Sequence, residues 1–141
     1  MLYTQKKKET TKANKIKIGD KIFEVKYIGS GNVNHYSIEA TFDNHGQTLT
    51  WIPRSPRYNQ KTGKYYLNFH GEYHHTPIPS SKNIILQNKD HKTTFIVRKM
   101  DSNLYEIECL PAVDPLNAFT IGLSDIIGPF LDPWASNGAE L

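Results

Sequence analysis

Lysine and arginine are the side chains of this sequence whose number and spacing point most directly to chemistry. Positions 6–17, KKKETTKANKIK, hold six lysines against one glutamate, and two arginines follow in a later loop. Clustered cations bind anionic surfaces, at roughly 1 kcal/mol per residue near an anionic membrane. A solvated, flexible arm is the alternative reading of the lysine-rich segment. The residues expected to contact anionic lipid or a protein partner are Lys6, Lys7, Lys8, Lys12, Lys15, Lys17, Arg54 and Arg57.

Histidines and a Ser-Asp pair suggest metal or hydrolytic chemistry, but their spacing argues against both. The closest histidines are His70, His74 and His75. They lack zinc-ligand spacing, and adjacent strand residues point to opposite faces. No nucleophile elbow surrounds Ser124 and Asp125. We therefore expect no catalysis, no metal, no cofactor and no small-molecule substrate.

The size and composition of the chain describe one globular domain. The sequence has 141 residues, of which 38% are hydrophobic and 22% charged, with a formal net charge of +3. It contains no run of eighteen apolar residues, so we expect no membrane-spanning helix. A single cysteine, Cys109, and the lack of an apolar signal-peptide core after Met1 favour a cytoplasmic location.

The elements that must position these residues are mainly β-strands. Short apolar alternations separated by turn formers predict about eight of them, at residues 16–18, 22–28, 36–42, 49–52, 64–73, 84–87, 93–99 and 105–110. One helix is predicted over residues 115–127, with Asp114 as its N-cap, Pro115 at its first position and Gly128 at its end.

This helix is predicted to be buried, because it is apolar nearly all round. Leu116, Phe119 and Leu123 fall on one side, and Ala118 and Ile121 fall on the other. Such a helix is enclosed by protein or lies in a membrane, and a length of about 20 Å is too short to cross a bilayer. The expected fold class is mainly β (α+β), an antiparallel barrel around one buried C-terminal helix.

Three motifs, in order, resemble the tubby C-terminal domain family. PRYNQKTGKYYLNFHG at residues 56–71 resembles its Pro-x-aromatic-Asn segment followed by Tyr-x-Leu-Asn-Phe-His-Gly, and SSKN at 80–83 resembles Ser-Val-Lys-Asn. PLNAFTIGLSDI at 115–126 resembles the closing helix, Leu-Gln-Ala-Phe-Ala-Ile-x-Leu-Ser-Ser. The residues that carry the match, with an expected structural role, are Leu67, Asn68, Phe69, His70, Gly71, Lys82, Asn83, Ala118, Phe119, Ile121 and Leu123.

The resemblance implies a closed β-barrel threaded by a hydrophobic helix, without enzymatic activity. It also implies binding to phosphoinositide head groups at the plasma membrane and, for several members, an adaptor role in ciliary trafficking. Basic residues recur in predicted loops beside tyrosines, as single-stranded nucleic acid binding would require. The motif places most of those tyrosines in barrel strands, where packing accounts for them, so nucleic acid is disfavoured. The basic residues and tyrosines concerned are Arg54, Arg57, Lys61, Lys64, Lys82, Lys89, Lys92, Arg98, Lys99, Tyr58, Tyr65, Tyr66 and Tyr73.

Departures from the family pattern leave two functions open. The N-terminal half of the family domain is largely missing, and residues 30–32, Ser-Gly-Asn, stand where the family has basic residues. The predicted organisation is a basic arm (1–14), a barrel domain (15–128) and a tail (129–141) whose Phe130, Leu131 and Trp134 bind a partner. One function is a phosphoinositide or anionic-membrane adaptor, peripheral to a membrane or in a cilium. The alternative is a scaffold subunit of a larger assembly, ciliary or of another organelle, that has lost the lipid site.

Overall fold

The computed structural model describes residues 10–18, 21–29, 36–67, 69 and 77–128. Within these ranges the chain forms a seven-stranded antiparallel sheet in the order β1-β2-β3-β4-β7-β8-β9, and β5 and β6 form a separate two-stranded hairpin. The predicted mainly β fold with one C-terminal helix is confirmed. The elements are β1 Thr10–Ile18, β2 Lys21–Gly29, β3 Tyr36–Asn44, β4 Gln47–Pro53, β5 Arg57–Asn59, β6 Lys64–Tyr66, β7 Ile84–Gln87, β8 Thr93–Asp101, β9 Leu104–Cys109 and α1 Pro115–Ile127.

Side-chain alternation determines which face of the sheet is buried. In β2, Phe23, Val25 and Tyr27 are buried, whereas Glu24 and Lys26 between them are partly exposed. Because paired residues of neighbouring strands share a face, the buried face continues across the sheet. The other buried apolar side chains of this core are Ile38, Ala40, Phe42, Trp51, Ile84, Leu86, Phe95, Val97, Val113, Ala118 and Ile121.

A row of aromatic rings crosses the middle of the core. The ring centroids of Phe42 and Trp51 lie 4.7 Å apart in an edge-to-face arrangement, and those of Trp51 and Phe95 lie 5.8 Å apart. Phe23 extends the row to β2, at 6.1 Å from Phe42. Large aromatic side chains contribute much of the buried apolar area of a small core. This row therefore joins strands from both halves of the sheet.

In the part of the chain that the structure describes, the sheet is open and does not form the expected closed barrel. Within the described residues, β1 and β9 are the two edges of the sheet and do not pair with each other. After Pro53 the chain leaves the sheet to form β5 and β6, which pair only with each other in this part of the structure. Two strands are thereby withdrawn from the sheet, and fewer strands remain to close it.

The described residues enclose helix α1 on one side, so the expectation of a fully buried helix is wrong for its outward side chains. Its outward side chains, Leu116, Phe119 and Leu123, are 54%, 60% and 37% exposed. A methyl group on Gly122 would overlap Ile107 Cδ1 and lie 3.1 Å from Ile107 Cγ1. The small side therefore faces the sheet, because glycine lets the helix approach β9 closely. The residues buried on that side are Ala118, Ile121, Gly122 and Asp125.

Hydrogen bonds to neighbouring strands fix both ends of α1. Asp114 is the N-cap, as predicted, and its backbone N–H donates to Asn44 Oδ1 at 3.0 Å. Asn44 Nδ2 in turn donates to the Ala112 carbonyl at 3.2 Å. Near the other end, the Tyr27 hydroxyl donates to the Ser124 carbonyl at 2.9 Å. These contacts hold the helix against β2 and β3 as well as β9.

Candidate functional site

The β5–β6 hairpin lies outside the main sheet, and its turn is shaped by local hydrogen bonds. The Lys61 N–H donates to Asn59 Oδ1 at 2.9 Å, and the Gly63 N–H donates to the Asn59 carbonyl at 2.8 Å. Gly63 has a φ of 67°, a conformation that glycine adopts without steric cost. The Asn and Gly of YNQKTGKY therefore define the turn that joins the two strands.

Three tyrosines of this hairpin are exposed. Tyr58, Tyr65 and Tyr66 are 54%, 72% and 45% accessible, and the Tyr58 and Tyr65 rings lie 5.1 Å apart between centroids at an interplanar angle of 56°. Their expected packing in barrel strands is wrong, because the hairpin is separate from the main sheet. Tyrosine has an apolar ring and a polar hydroxyl, a combination suited to a boundary between water and an apolar phase.

The same hairpin carries positive charge without compensating acids. Residues 57–66 contain Arg57, Lys61 and Lys64 but no aspartate or glutamate, and all three cations are exposed. Arg57 pairs with Tyr66 and Asn59 with Lys64, whereas Tyr58 pairs with Tyr65. Because side chains alternate along a strand, the tyrosine pair lies on one face of the ribbon and Arg57 and Lys64 lie on the other. We call residues 57–66 the basic hairpin.

Arg54 anchors the segment that leads into the basic hairpin. Its backbone N–H donates to the Ile85 carbonyl at 2.8 Å. Its guanidinium donates through Nε to Gln87 Oε1 at 3.5 Å and through Nη2 to Thr93 Oγ1. Arg54 is therefore engaged by β7 and β8, whereas Arg57, the second predicted arginine, is exposed at the start of β5.

The predicted lysines divide between β1 and the segment outside the described residues. Lys12 pairs with Tyr27, and Lys15 pairs with Glu24. Lys17 pairs with Ile22, so all three lysines of β1 have their partners in β2. Residues 10–14, predicted to belong to the basic arm, are the first half of β1. The predicted residues that lie outside the described ranges are Lys6, Lys7, Lys8, Asn68, His70, Gly71, Phe130, Leu131 and Trp134.

Arg98 is buried in β8, which corrects its assignment to a basic loop. Its Nη1 donates to Glu106 Oε1 at 2.9 Å and lies 3.0 Å from Glu108 Oε2, both on β9. The guanidinium carbon lies 5.8 Å from the centroid of the Phe69 ring. Arg98 therefore links two strands to the LNFHG motif, and this fully buried cation does not face an external anion.

Two residues of the SSKN motif hold the chain that enters β7. Asn83 Oδ1 accepts from the Lys99 N–H at 2.6 Å, and Asn83 Nδ2 donates to the Ile78 carbonyl at 2.8 Å. The Lys82 N–H donates to Ser80 Oγ at 3.1 Å. The structural role expected of Asn83 is consistent with these contacts, which tie residues 78–83 to the far end of β8.

A buried carboxyl group lies on the inner side of α1. Asp125 is 4% exposed, and its Oδ2 has no hydrogen-bond partner among the described residues. Burial raises the pKa of Asp125 well above its ordinary value, and the charge of Lys82 lowers it by a smaller amount. Burial also raises the pKa of Tyr27, whose hydrogen bond to Ser124 acts in the opposite direction. The sequence predicts an enclosed helix that contains Asp125, but no motif assigns a role to this carboxyl group.

Metal-ligating side chains do not form a cluster within the described ranges, and the Cys109 thiol is partly buried. In this part of the chain no group of three His, Cys, Asp or Glu side chains could hold a metal ion. Burial and the charge of Glu108 raise the pKa of the Cys109 thiol, which keeps it protonated and weakly nucleophilic. The described ranges also contain no helix long and apolar enough to span a bilayer.

Comparison with known proteins identifies a family for most of the chain. The model of the Tub family matches residues 2–126, a range that includes the sheet, the basic hairpin and nearly all of α1. Searches of curated proteins and of solved structures found no significant match.

Proposed function

Because the chain belongs to the Tub family, which is non-catalytic, we propose that it is a module that binds anionic membranes through the basic hairpin. Phosphoinositides are the lipids expected to bind best, because each head group carries several negative charges. One observation supports this proposal above the others. Ten consecutive residues expose three cations and three tyrosines and contain no acid.

The chemistry of the basic hairpin matches the two layers of a membrane surface. Each lysine or arginine near an anionic leaflet contributes about 1 kcal/mol, so three contribute about 3 kcal/mol, which is about 150-fold in affinity. Tyrosine rings favour the head-group layer, where the ring is partly desolvated and the hydroxyl stays hydrated. Tyr66 pairs with Arg57 and so lies on the same face as Arg57 and Lys64, and this face can supply both interactions.

The proposal extends to the adaptor role that the tubby resemblance implies. A protein that holds a membrane surface through one exposed hairpin leaves the rest of its surface available to cargo. The six lysines of residues 6–17 add charge of the same sign to the chain. We accordingly place the protein at the cytoplasmic face of a membrane, with ciliary trafficking as the process in which it acts.

Vesicle co-sedimentation tests the proposal with a charge-matched pair of variants. We expect the intact chain to bind phosphatidylcholine vesicles that contain a phosphoinositide at low salt, and to bind pure phosphatidylcholine weakly. Lys61→Gln/Lys64→Gln removes two charges from the hairpin and should weaken binding about 30-fold. Lys26→Gln/Lys99→Gln removes two charges from the main sheet and should weaken it far less.

Three outcomes of this experiment contradict the proposal. The intact chain fails to bind anionic vesicles at low salt, or the two double variants lose affinity equally. In the third, the chain binds a single-stranded oligonucleotide more tightly than it binds the vesicles. That result would assign the exposed tyrosines to base stacking.

A second candidate function, the scaffold subunit, is favoured by the outward side of α1. Leu116, Phe119 and Leu123 form an exposed apolar stripe, and the outer edge of the neighbouring β9 is unpaired within the described residues. The occupant we propose is a second copy of this chain, since an edge strand beside an apolar stripe can pair with itself about a two-fold axis. Light scattering should then show a dimer that Phe119→Ser dissociates. A monomer at every concentration would exclude this dimer. The predicted role of the tail stays a prediction.

A further inference from the structure

Ser55 lies in the short segment between Arg54 and the basic hairpin and is directly followed by Pro56. Both residues are exposed, and residues 54–56 have no regular secondary structure. A residue that precedes proline is restricted to extended conformations, and protein kinases bind their substrates as extended segments. A serine with proline at the next position is the sequence that proline-directed kinases recognise. The accessibility and the sequence around Ser55 therefore suit this class of enzyme.

We propose that Ser55 is a phosphorylation site for a proline-directed protein kinase, and that the modification releases the basic hairpin from membranes. This inference rests on the proposed function of the hairpin. In the reaction, Ser55 Oγ attacks the γ-phosphorus of ATP, the bond from that phosphorus to the β,γ-bridging oxygen breaks, and ADP leaves. The hydroxyl proton passes to the catalytic aspartate of the kinase.

Charge is the physical reason for the release. Phosphoserine carries a charge of about −1.5 to −2 at pH 7. Ser55 is two residues from Arg57, a backbone distance of at most about 7 Å, which is shorter than the Debye length of about 8 Å at physiological salt. The modification therefore cancels about half to two thirds of the +3 charge of the hairpin.

Besides the loss of net charge, the phosphate gains a specific hydrogen-bond partner in Arg57. Arg54 is held by Gln87 and Thr93, whereas Arg57 is exposed beside the modified residue. A guanidinium binds a phosphate through two parallel hydrogen bonds. The Arg57 that faces lipid in the unmodified protein would then face the phosphoserine. Cancelling two charges should weaken vesicle binding about 30-fold, or about 2 kcal/mol.

The experiment compares modified and unmodified chains on the same vesicles. The intact chain is treated with ATP and a purified proline-directed kinase, the site is identified by mass spectrometry, and binding to phosphoinositide-containing vesicles is measured. We expect a phosphate on Ser55 and about 30-fold weaker binding, with no loss in Ser55→Ala after the same treatment. Ser55→Glu, which adds one charge, should weaken binding about 5-fold.

Ser102→Glu is the matched control, because it makes the same chemical change at another exposed turn. Ser102 follows β8, whose other end holds Thr93, the residue to which Arg54 donates. Eight strand residues at about 3.3 Å each place that turn about 26 Å from Thr93, which is well beyond the Debye length. Ser102→Glu should therefore bind vesicles like the unchanged chain.

Each other result overturns the inference in an identifiable way. If the unmodified chain does not bind vesicles, the proposed function fails and the inference fails with it. If the unmodified chain binds and phosphorylation at Ser55 leaves affinity unchanged, only the inference fails. Absence of phosphate on Ser55 after kinase treatment, or equal weakening by Ser102→Glu and Ser55→Glu, also refutes the inference and leaves the proposed function standing.

Discussion

Replacing Asp125 by asparagine should stabilise the protein at neutral pH. The Asp125 side chain is 4% exposed and its Oδ2 has no hydrogen-bond partner among the described residues. A buried unsatisfied polar atom costs about 1–3 kcal/mol, and more when it is charged. Asparagine has the same shape and no charge, so Asp125→Asn should raise the free energy of unfolding by about 1–2 kcal/mol at pH 7.

The effect should depend on pH with a definite sign. The folded-state pKa of Asp125 is raised above its ordinary value of 3.8, so between those two pKa values the native state binds more protons than the unfolded state. The stability contributed by protonated Asp125 is complete below pH 3.8 and is lost as pH rises through the folded-state pKa. Asp125→Asn should remove this loss, and its advantage over the natural chain should vanish near pH 4.

Urea unfolding at several pH values measures this prediction, with the fluorescence of buried Trp51 as the probe. Lys82→Met is an informative second variant, because the Lys82 charge lowers the pKa of Asp125. Its removal should extend the decline of stability to higher pH. The reasoning is refuted if Asp125→Asn is less stable than the natural chain at pH 7, or if both chains show the same pH dependence from pH 4 to pH 8.

Three packing and hydrogen-bond predictions concern α1 and are measured by the same urea unfolding. Gly122→Ala should destabilise the protein by about 1 kcal/mol, because overlap with Ile107 outweighs the higher helix propensity of alanine. In an Ile107→Ala background the same substitution should stabilise the protein by up to about 1 kcal/mol. A change in the free energy of unfolding that has the same sign in both backgrounds contradicts this prediction. Tyr27→Phe should cost about 1 kcal/mol for its bond to α1. Asn44→Ala loses two hydrogen bonds and should cost about 2 kcal/mol. Equal destabilisation by Asn44→Ala and Tyr27→Phe would refute the expectation that the cost follows the number of hydrogen bonds lost.

The secondary-structure elements whose bounds or buried faces depend on nearby residues could be predicted from the sequence. The helix bounds follow from Asp114, Pro115 and Gly128, each of which acts on its own backbone. The alternation in residues 22–28 reports one buried face of β2, and the structure buries Phe23, Val25 and Tyr27. These signals lie within a few residues of the element they define.

The side of α1 that faces the sheet could not be predicted from the same segment. Both sides are apolar, and the choice depends on Ile107 and Phe95, which belong to strands distant in sequence from Gly122. The larger apolar side chains lie on the outward side of α1, so a count of apolar side chains predicts that the outward side is the buried one. The buried Asp125 lies on the inner side for the same reason, as part of the face that glycine allows to approach β9.

The exposure of the basic hairpin also depends on strand pairing between residues that are distant in sequence. The motif residues of segment 56–71 were expected in barrel strands, but a two-stranded hairpin pairs with the sheet only if a neighbouring strand offers an edge. β4 instead pairs with β7, through Ile52 with Gln87 and Pro53 with Leu86, and that pairing takes the edge. The signal available in the sequence was Pro53 and Pro56, which interrupt the ladder immediately before β5.

The selectivity of the proposed membrane binding follows from where its cations lie. Residues 30–32 of the chain, Ser-Gly-Asn, carry no charge, and in the proposed mode of binding the exposed basic hairpin supplies the cations. Exposed, flexible cations respond to surface charge density and salt, whereas head-group stereochemistry is read by fixed, buried donors. We therefore expect vesicles with phosphatidylserine and vesicles with a phosphoinositide to bind equally when their total surface charge is matched, and both to release the protein as salt rises. A tenfold preference for the phosphoinositide at matched charge would show that a defined head-group site, built from other residues, exists in this protein.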